Sequence, residues 1–202
     1  MKNRKSLLLL CACVVILFLG LYFPNKIMEI KHTLDLLIKT TAETQAKEDF
    51  YRSNFELNST MTGLTAPDVL CTEYRKDSIF LSVMAKESPL LIFRIIEKGC
   101  TSCNVEQLST LQQILPENID YAIVLYSNQK SRDLLFFKKS HKYLPIYLIP
   151  FDAFGWIAEE SQKPYYFVLN PDMKISHIYV PNKDYPELNE QYLEGVKRFL
   201  SE

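Results

Sequence analysis

Apolar residues fall along this chain in three rhythms. The first is an uninterrupted, uncharged run over residues 7–23, preceded by Lys2, Arg4 and Lys5. At 1.5 Å per residue it covers about 26 Å of helix, near the minimum for crossing a bilayer. The second is a spacing of three and four, Ile27, Ile30, Leu34 and Leu37, which predicts a helix with a narrow apolar seam between Pro24 and about Leu57. The seam weakens at Thr41 and Thr44. Residues 58–67, rich in Asn, Ser, Thr, Gly and Pro, read as a linker. In the third rhythm, short continuous apolar runs alternate with amphipathic stretches. It predicts extended chain over 69–80, a helical turn over 80–86 and a buried strand over 90–96. A helix over 103–115 follows, with Val105, Leu108, Leu111 and Leu115 on one side. Next come a strand over 121–126, a helix over 131–141, a strand over 146–149 and a short helix over 153–160. Two strands over 165–169 and 174–180 flank the turn sequence Asn170-Pro171-Asp172-Met173 and predict a hairpin. A last helix over 186–200 carries Leu188, Tyr192, Val196 and Phe199. Strands alternating with helices predict a parallel sheet, to which the hairpin adds antiparallel strands.

The chain has 202 residues, 48% of them hydrophobic and 23% charged, enough for one domain with a core. We divide it into a membrane anchor (1–24), a juxtamembrane helix and linker (25–61) and a folded domain (62–202). A formal charge of −1 gives no reason to expect nucleic acid as a partner. The apolar run ends Gly20-Leu21-Tyr22-Phe23-Pro24, a poor cleavage sequence, and Cys11 and Cys13 come too early to be lipid-bearing. The run therefore reads as an uncleaved single-pass anchor. Its basic leader places the N-terminus in the cytoplasm and the domain across the membrane, which in a bacterium is inner membrane and periplasm. The seam over 27–38 is either a solvated spacer or the contact of a homodimer.

Candidate chemistry centres on Cys100-Thr101-Ser102-Cys103, between the strand over 90–96 and the helix that follows. A helix N-terminus carries partial positive charge and free N–H groups, which stabilise a thiolate. Two cysteines three apart on a first turn close a disulfide with little backbone movement, here Cys100–Cys103. A structural zinc site wants further ligands, and His32, His141 and His177 are scattered. No metal, nucleotide or flavin is implied. Cys71 reads either as a buried, inert thiol or as a third redox partner. Trp156, Tyr165, Tyr166 and Phe167 read as core or as a rim around the site.

The order of elements, with C-x-x-C after the first parallel strand and Pro164 just before the hairpin, resembles the thioredoxin fold. It is most similar to the membrane-tethered extracytoplasmic TlpA/ResA-like branch and to thioredoxin-like proteins of Bacteroidetes, over residues 65–202. The resemblance implies a thioredoxin-like α/β fold: a central mixed sheet flanked by helices, preceded by an N-terminal transmembrane helix. It implies a membrane-anchored thiol–disulfide oxidoreductase acting on protein thiols and disulfides, supplied by a membrane or periplasmic electron donor. Cys100 would attack and Cys103 resolve, with Thr101 and Ser102 in the motif turn. Pro164 would be a cis-proline facing the pair and shaping the substrate groove. The pattern departs from the family where Thr101-Ser102 stands in place of Gly-Pro between the cysteines, at Arg94 and at Lys163. The residue six before the first cysteine, usually acidic, is Arg94. Glu97 is either the proton acceptor for Cys103 or an ion-pair partner of Arg94 or Lys98. Lys163 either lowers the Cys100 pKa or is an exposed surface cation. The alternative function is a tethered binding or sensor module that responds to oxidation without turnover.

Overall fold

The computed structural model describes residues 2–73, 77–96, 101–115, 121–127, 139, 144–160 and 162–201; the side chains of 2–12, 17–19, 21, 25 and 101–103 lie outside that description. The chain divides into two compact units, Met1–Arg52 and Ser53–Glu202.

The first unit is one helix. Helix α1 runs from Lys2 to Met61, passes through Pro24 without a break, and ends inside the second unit. The seam residues Ile27, Ile30, Leu34 and Leu37 are all exposed. The apolar run over 7–23 has helical backbone, but most of its side chains are outside the description. Among the described residues no helix is long and apolar enough to cross a membrane.

The second unit is a seven-stranded sheet in the order β2-β1-β5-β4-β3-β6-β7. Its strands are β1 (Leu70–Glu73), β2 (Ser78–Phe80), β3 (Leu90–Ile95), β4 (Ala122–Tyr126), β5 (Ile146–Leu148), β6 (Tyr165–Leu169) and β7 (Ile175–Tyr179). Strands β3, β4 and β5 are parallel, while β6 lies antiparallel to β3, β7 to β6, β1 to β5 and β2 to β1. Every residue of β3, β4 and β6 is buried, as expected of central strands covered on both faces. The helices after α1 are α2 (Leu81–Met84), α3 (Thr101–Ile114), α4 (Ile157–Glu160) and α5 (Pro186–Leu200). Of the helix expected over 131–141 only Lys139 is among the described residues, and the one expected over 153–160 is reduced to its last turn.

The two faces are built differently. On one, Leu90, Ile92, Ile96, Phe167 and Leu169 pack with Met61 of α1, Leu81 of α2 and Ala158 of α4. On the other, α3 and α5 lie side by side, tied where Lys197 Nζ donates to Ile114 O at 3.0 Å. Tyr192 of α5 stacks on Tyr179, and Tyr179 Oη donates to Asn189.

Strand β7 carries a bulge. Two of its residues, His177 and Ile178, stand opposite the single Phe167, and His177 takes φ 53°. The extra residue lets Ile175 and Ile178, three apart, both reach the core face. Strict alternation would have turned one of them outward.

The linker expected over 58–67 is instead structure. Helix α1 continues through Met61, and residues 63–66 run antiparallel to 173–175: Gly63 N–H donates to Ile175 O, Ile175 N–H to Leu64 O, and Ala66 N–H to Met173 O. Ahead of this, Asn54 and Asn58 cover the outer edge of β7. Val180 N–H donates to Asn54 Oδ1 at 2.7 Å, Asn54 Nδ2 donates to Val180 O at 3.3 Å, and Ile178 N–H donates to Asn58 Oδ1 at 2.9 Å. The match is geometric. Four residues of helix advance about 6.0 Å and two residues of strand about 6.6 Å, so amides at i and i+4 meet backbone groups at j and j−2. An unpaired edge invites association with other chains, and here helix side chains close it.

Candidate active site

The cysteine motif leaves the sheet at the C-terminal end of β3. Strand β3 ends at Ile95 and α3 begins at Thr101, so the connection over 96–100 delivers the motif to the helix N-terminus. Residues 97–100, and therefore Glu97 and Cys100, lie outside the described residues. Thr101, Ser102 and Cys103 are placed by backbone alone, in the first turn of α3. That turn holds no acidic residue, so nothing on it offsets the positive end of the helix dipole. This is the setting in which a thiolate is favoured.

The buried side of α3 begins with two amides. Asn104 and Gln107, 4% and 3% exposed, precede Leu108 and Leu111 on the same face. Tyr166 Oη donates to Gln107 O at 3.3 Å, and Tyr166 stacks on Phe93. Asn104 Oδ1 has no hydrogen-bond partner among the described residues. Ser127, also buried, ties the end of β4 to β3: its N–H and hydroxyl both donate to Ile95 O. The sequence reading missed all three polar residues. The breaks they make in apolar patterns were the available signal.

Register brings Pro164 to the same end. Arg94 pairs with Tyr165 across β3 and β6, so the next position along sets Pro164 beside Ile95. Pro164 is buried and Lys163 exposed. The Lys163–Pro164 bond is trans, as is every peptide bond among the described residues, which corrects the expected cis-proline. Two residues earlier Gln162 takes φ 54°, in the left-handed region.

Arg94 is fully buried, and all but one of its hydrogen-bond acceptors among the described residues come from the segment over 150–160. Its Nε donates to Glu159 Oε1 at 2.9 Å, its Nη2 to Phe151 O at 3.0 Å and Pro150 O at 3.5 Å, and its Nη1 to Ile95 O at 3.3 Å. Phe154 lies under the guanidinium at 5.7 Å. Its cross-strand partner Tyr165 places it on the face opposite α3, so the guanidinium is engaged with Glu159 and the backbone. The Tyr165 hydroxyl is buried beside this pair, with no well-aligned hydrogen-bond partner among the described residues. Burial, and next the Glu159 charge, push its pKa well above the ordinary tyrosine value.

Cys71 is fully buried on β1, its Sγ 3.7 Å from Val69 O. Burial, reinforced by Asp68, pushes this thiol up to about 12. It is a packed side chain that stays protonated at neutral pH, so the inert reading of Cys71 fits. His177 is half-buried on β7, its ring tilted against Phe199 at 4.5 Å, and burial lowers its pKa below the ordinary 6.5.

No protein-family model matches the chain, and no curated protein matches it. Solved structures do. The solution structure of a thiol:disulfide interchange protein from Bacteroides sp. superposes with a TM-score of 0.51 at 16% identity, over 70% of this chain and 91% of that one. The thioredoxin domain of a thiol-disulfide oxidoreductase from Bacteroides vulgatus gives 0.51 at 16% identity, over 69% and 97%. A candidate protein disulfide isomerase from Bacteroides thetaiotaomicron gives 0.51 at 18% identity, over 70% and 91%. At these identities the likeness speaks to architecture: residues from the end of α1 onward form a thioredoxin-like α/β domain, a mixed sheet flanked by helices.

Proposed function

We propose that the chain is a membrane-anchored thiol–disulfide oxidoreductase that exchanges disulfides with protein substrates through Cys100 and Cys103. The observation that carries this is the meeting of a thioredoxin-like fold with a C-x-x-C sequence between β3 and the acid-free first turn of α3. In the reducing direction the Cys100 thiolate attacks one sulfur of a client disulfide. The client S–S bond breaks, a mixed disulfide forms, and one client thiolate leaves. The Cys103 thiolate then attacks Cys100 Sγ, closing Cys100–Cys103 and releasing the second client thiol. Two electrons pass to the client, and a donor protein's dithiol restores the pair. The oxidising direction is the reverse. Pro164, at the sheet end beside Ile95, is the wall along which an extended client strand would lie. The run over 7–23 anchors the chain in the inner membrane, with its N-terminus cytoplasmic and the domain in the periplasm.

The test is to quench cells with acid, label free thiols with a mass tag, and compare the chain with its Cys100→Ser/Cys103→Ser form. A pair that changes by two labels between oxidised and reduced samples supports the proposal, and a mostly reduced pair in living cells makes it a reductase. A pair that takes no label even after reductant sinks it. Cys103→Ser separates enzyme from sensor: an enzyme accumulates client proteins as mixed disulfides on Cys100, and a sensor accumulates none.

A further inference from the structure

Along helix α1 an apolar seam lies open. From Ile27 onward the positions Ile27, Ile30, Leu34 and Leu37 fall alternately three and four apart, and Thr41 and Thr44 continue the count. The four apolar side chains are between 54% and 65% exposed. Positions away from the seam are mostly polar, Glu29, His32, Asp35, Lys39 and Glu43, with Met28 and Leu36 the exceptions. The two threonines do not interrupt the seam. Thr41 Oγ1 donates to Leu37 O at 2.8 Å and Thr44 Oγ1 to Thr40 O at 2.9 Å. Each hydroxyl is thus satisfied within the helix and can be covered without leaving an unpaired donor. Upstream, the same count meets Phe23, Gly20, Ile16 and Cys13, all exposed. Every position of that run is uncharged, so the spacing discriminates only from Ile27 on.

The period of the seam points to what covers it. A straight helix turns once in 3.6 residues, so a stripe kept at 3.5 drifts by about 20° per heptad. Over residues 27–44 the drift reaches about 50°, which a flat surface such as a bilayer face does not follow. A partner helix that winds with the seam follows it throughout. Such a partner needs a stripe of the same period and length, and a second α1 has one by construction. Charge agrees. Thr33, Ile38, Thr40 and Gln45, which flank the seam, are uncharged, so nothing there selects a partner of a different charge pattern. The exceptions are Lys26 and Lys31, and Lys26 Nζ is paired within its own helix to Glu29 Oε2 at 2.7 Å. Area agrees as well. Ile16, Phe23 and Ile38 with the four seam residues each offer about 80 Å² of apolar surface, about 1,100 Å² over two helices, against about 1,000 Å² for a specific interface. Thr33, Ile38, Thr40, Thr41 and Thr44 are also middling helix formers, so this stretch draws on packing more than on propensity.

We propose that α1 pairs with α1 of a second copy of this chain as a parallel coiled coil over residues 27–44, with the seam as its core. The parallel sense rests on the anchor reading above, since two chains held through residues 7–23 with their N-termini on one side run in one direction. Anchoring also confines both copies to one plane, which raises their effective concentration. The pairing makes no use of the cysteine motif, so it stands or falls apart from the exchange chemistry.

The experiment uses the full-length chain in lipid vesicles, carrying Cys11→Ser, Cys13→Ser, Cys100→Ser and Cys103→Ser. Cys71 is fully buried and stays. Single cysteines are introduced on the seam as Ile30→Cys, Leu34→Cys and Leu37→Cys, and off it as His32→Cys, Asp35→Cys and Lys39→Cys. After brief oxidation by copper–phenanthroline and dissolved oxygen, covalent dimer is read on a non-reducing gel. The seam positions are expected to crosslink about fivefold more than the others, because only there do two Cα atoms come within disulfide reach. Ile30→Lys/Leu34→Lys should abolish the Leu37→Cys crosslink, and both sites are exposed, so the folded domain is not put at risk. Equal crosslinking at all six positions is random collision and overturns the inference, as does crosslinking at none. Seam cysteines that resist a water-soluble maleimide without crosslinking assign the seam to lipid, which overturns it too.

Discussion

Two polar clusters close this domain, and they do so by opposite means. At the outer edge of β7, Asn54 and Asn58 satisfy strand backbone with neutral amides, at a spacing that helix and strand share. At the motif end of β3, Arg94 and Glu159 fasten a segment with full charges. A hydrogen-bonded, half-buried neutral amide carries little desolvation cost, so the β7 seal mainly holds the fold together. An ion pair carries a desolvation penalty that only good geometry offsets, so the β3 pair is better explained by what it positions. The contrast shows which part of the molecule is built for stability and which for placement.

The contrast can be broken first at the ion pair. Arg94→Met alone leaves a carboxylate buried without its partner and is expected to cost about 3–5 kcal/mol in urea unfolding. Adding Glu159→Leu should recover most of that loss. A double variant no more stable than the single one would show that the charges themselves, and not their pairing, support the fold.

At the amide seal, Asn54→Ala/Asn58→Ala is expected to cost about 2 kcal/mol, roughly one for each bonded side chain. Hydrogen exchange at Ile178 and Val180 should accelerate while that of the β3 amides follows only the global loss. Unchanged protection at Ile178 and Val180 would mean that the seal is not what shields the β7 edge.

Tyr165→Phe sharpens the comparison with an effect of opposite sign. Its hydroxyl is buried beside the ion pair with no well-aligned hydrogen-bond partner among the described residues, so removing it should stabilise the domain, by up to about 1 kcal/mol. A destabilised variant would reveal a partner for that oxygen.

The smallest expected effect is at His177. Burial holds its folded pKa below 6.5, so between the two values the unfolded chain binds more protons than the folded one. Stability attributable to this group is therefore present above pH 6.5 and declines as pH falls through that value towards the folded pKa. His177→Asn, which tolerates the same positive φ, should flatten the dependence of Tm on pH between 7.5 and 5.5. An unaltered slope would remove His177 from the account.

Much of the fold was legible before any coordinates. The apolar runs at β3, β4 and β6 could hardly be anything but central strands. The turn at 170–173 and the spacing of Leu188, Tyr192 and Val196 placed the hairpin and α5. At the motif end of the sheet the sequence named Pro164, which register sets beside Ile95, while Cys100 and the side chain of Cys103 lie outside the described residues; Asn104, Gln107, Ser127 and Glu159 were not named. An arginine inside an apolar run announces that a carboxylate must lie nearby. It does not say which one, because Glu159 is 65 residues away in the chain. The same distance problem hid Asn58. Its neighbours Ser59, Thr60 and Gly63 look like linker, and only the approach of β7, 120 residues on, turns it into an edge seal.

By itself, then, the sequence determined whatever depends on neighbours along the chain. Hydrophobic period sets strand against helix, turn residues set the hairpin, and the two-residue spacing between cysteines sets a pair that one helical turn can hold. Only the tertiary structure decided whatever depends on partners that the chain brings back from afar. It extended α1 into the expected linker, put a bulge at His177 so that two isoleucines share one face, and gave Pro164 a trans bond where a cis one was expected. It also matched Arg94 with Glu159. Local pattern fixes conformation because each residue feels its own backbone and its nearest turns. Charge pairing and edge closure wait for the sheet, because their partners are close in space only after it has formed.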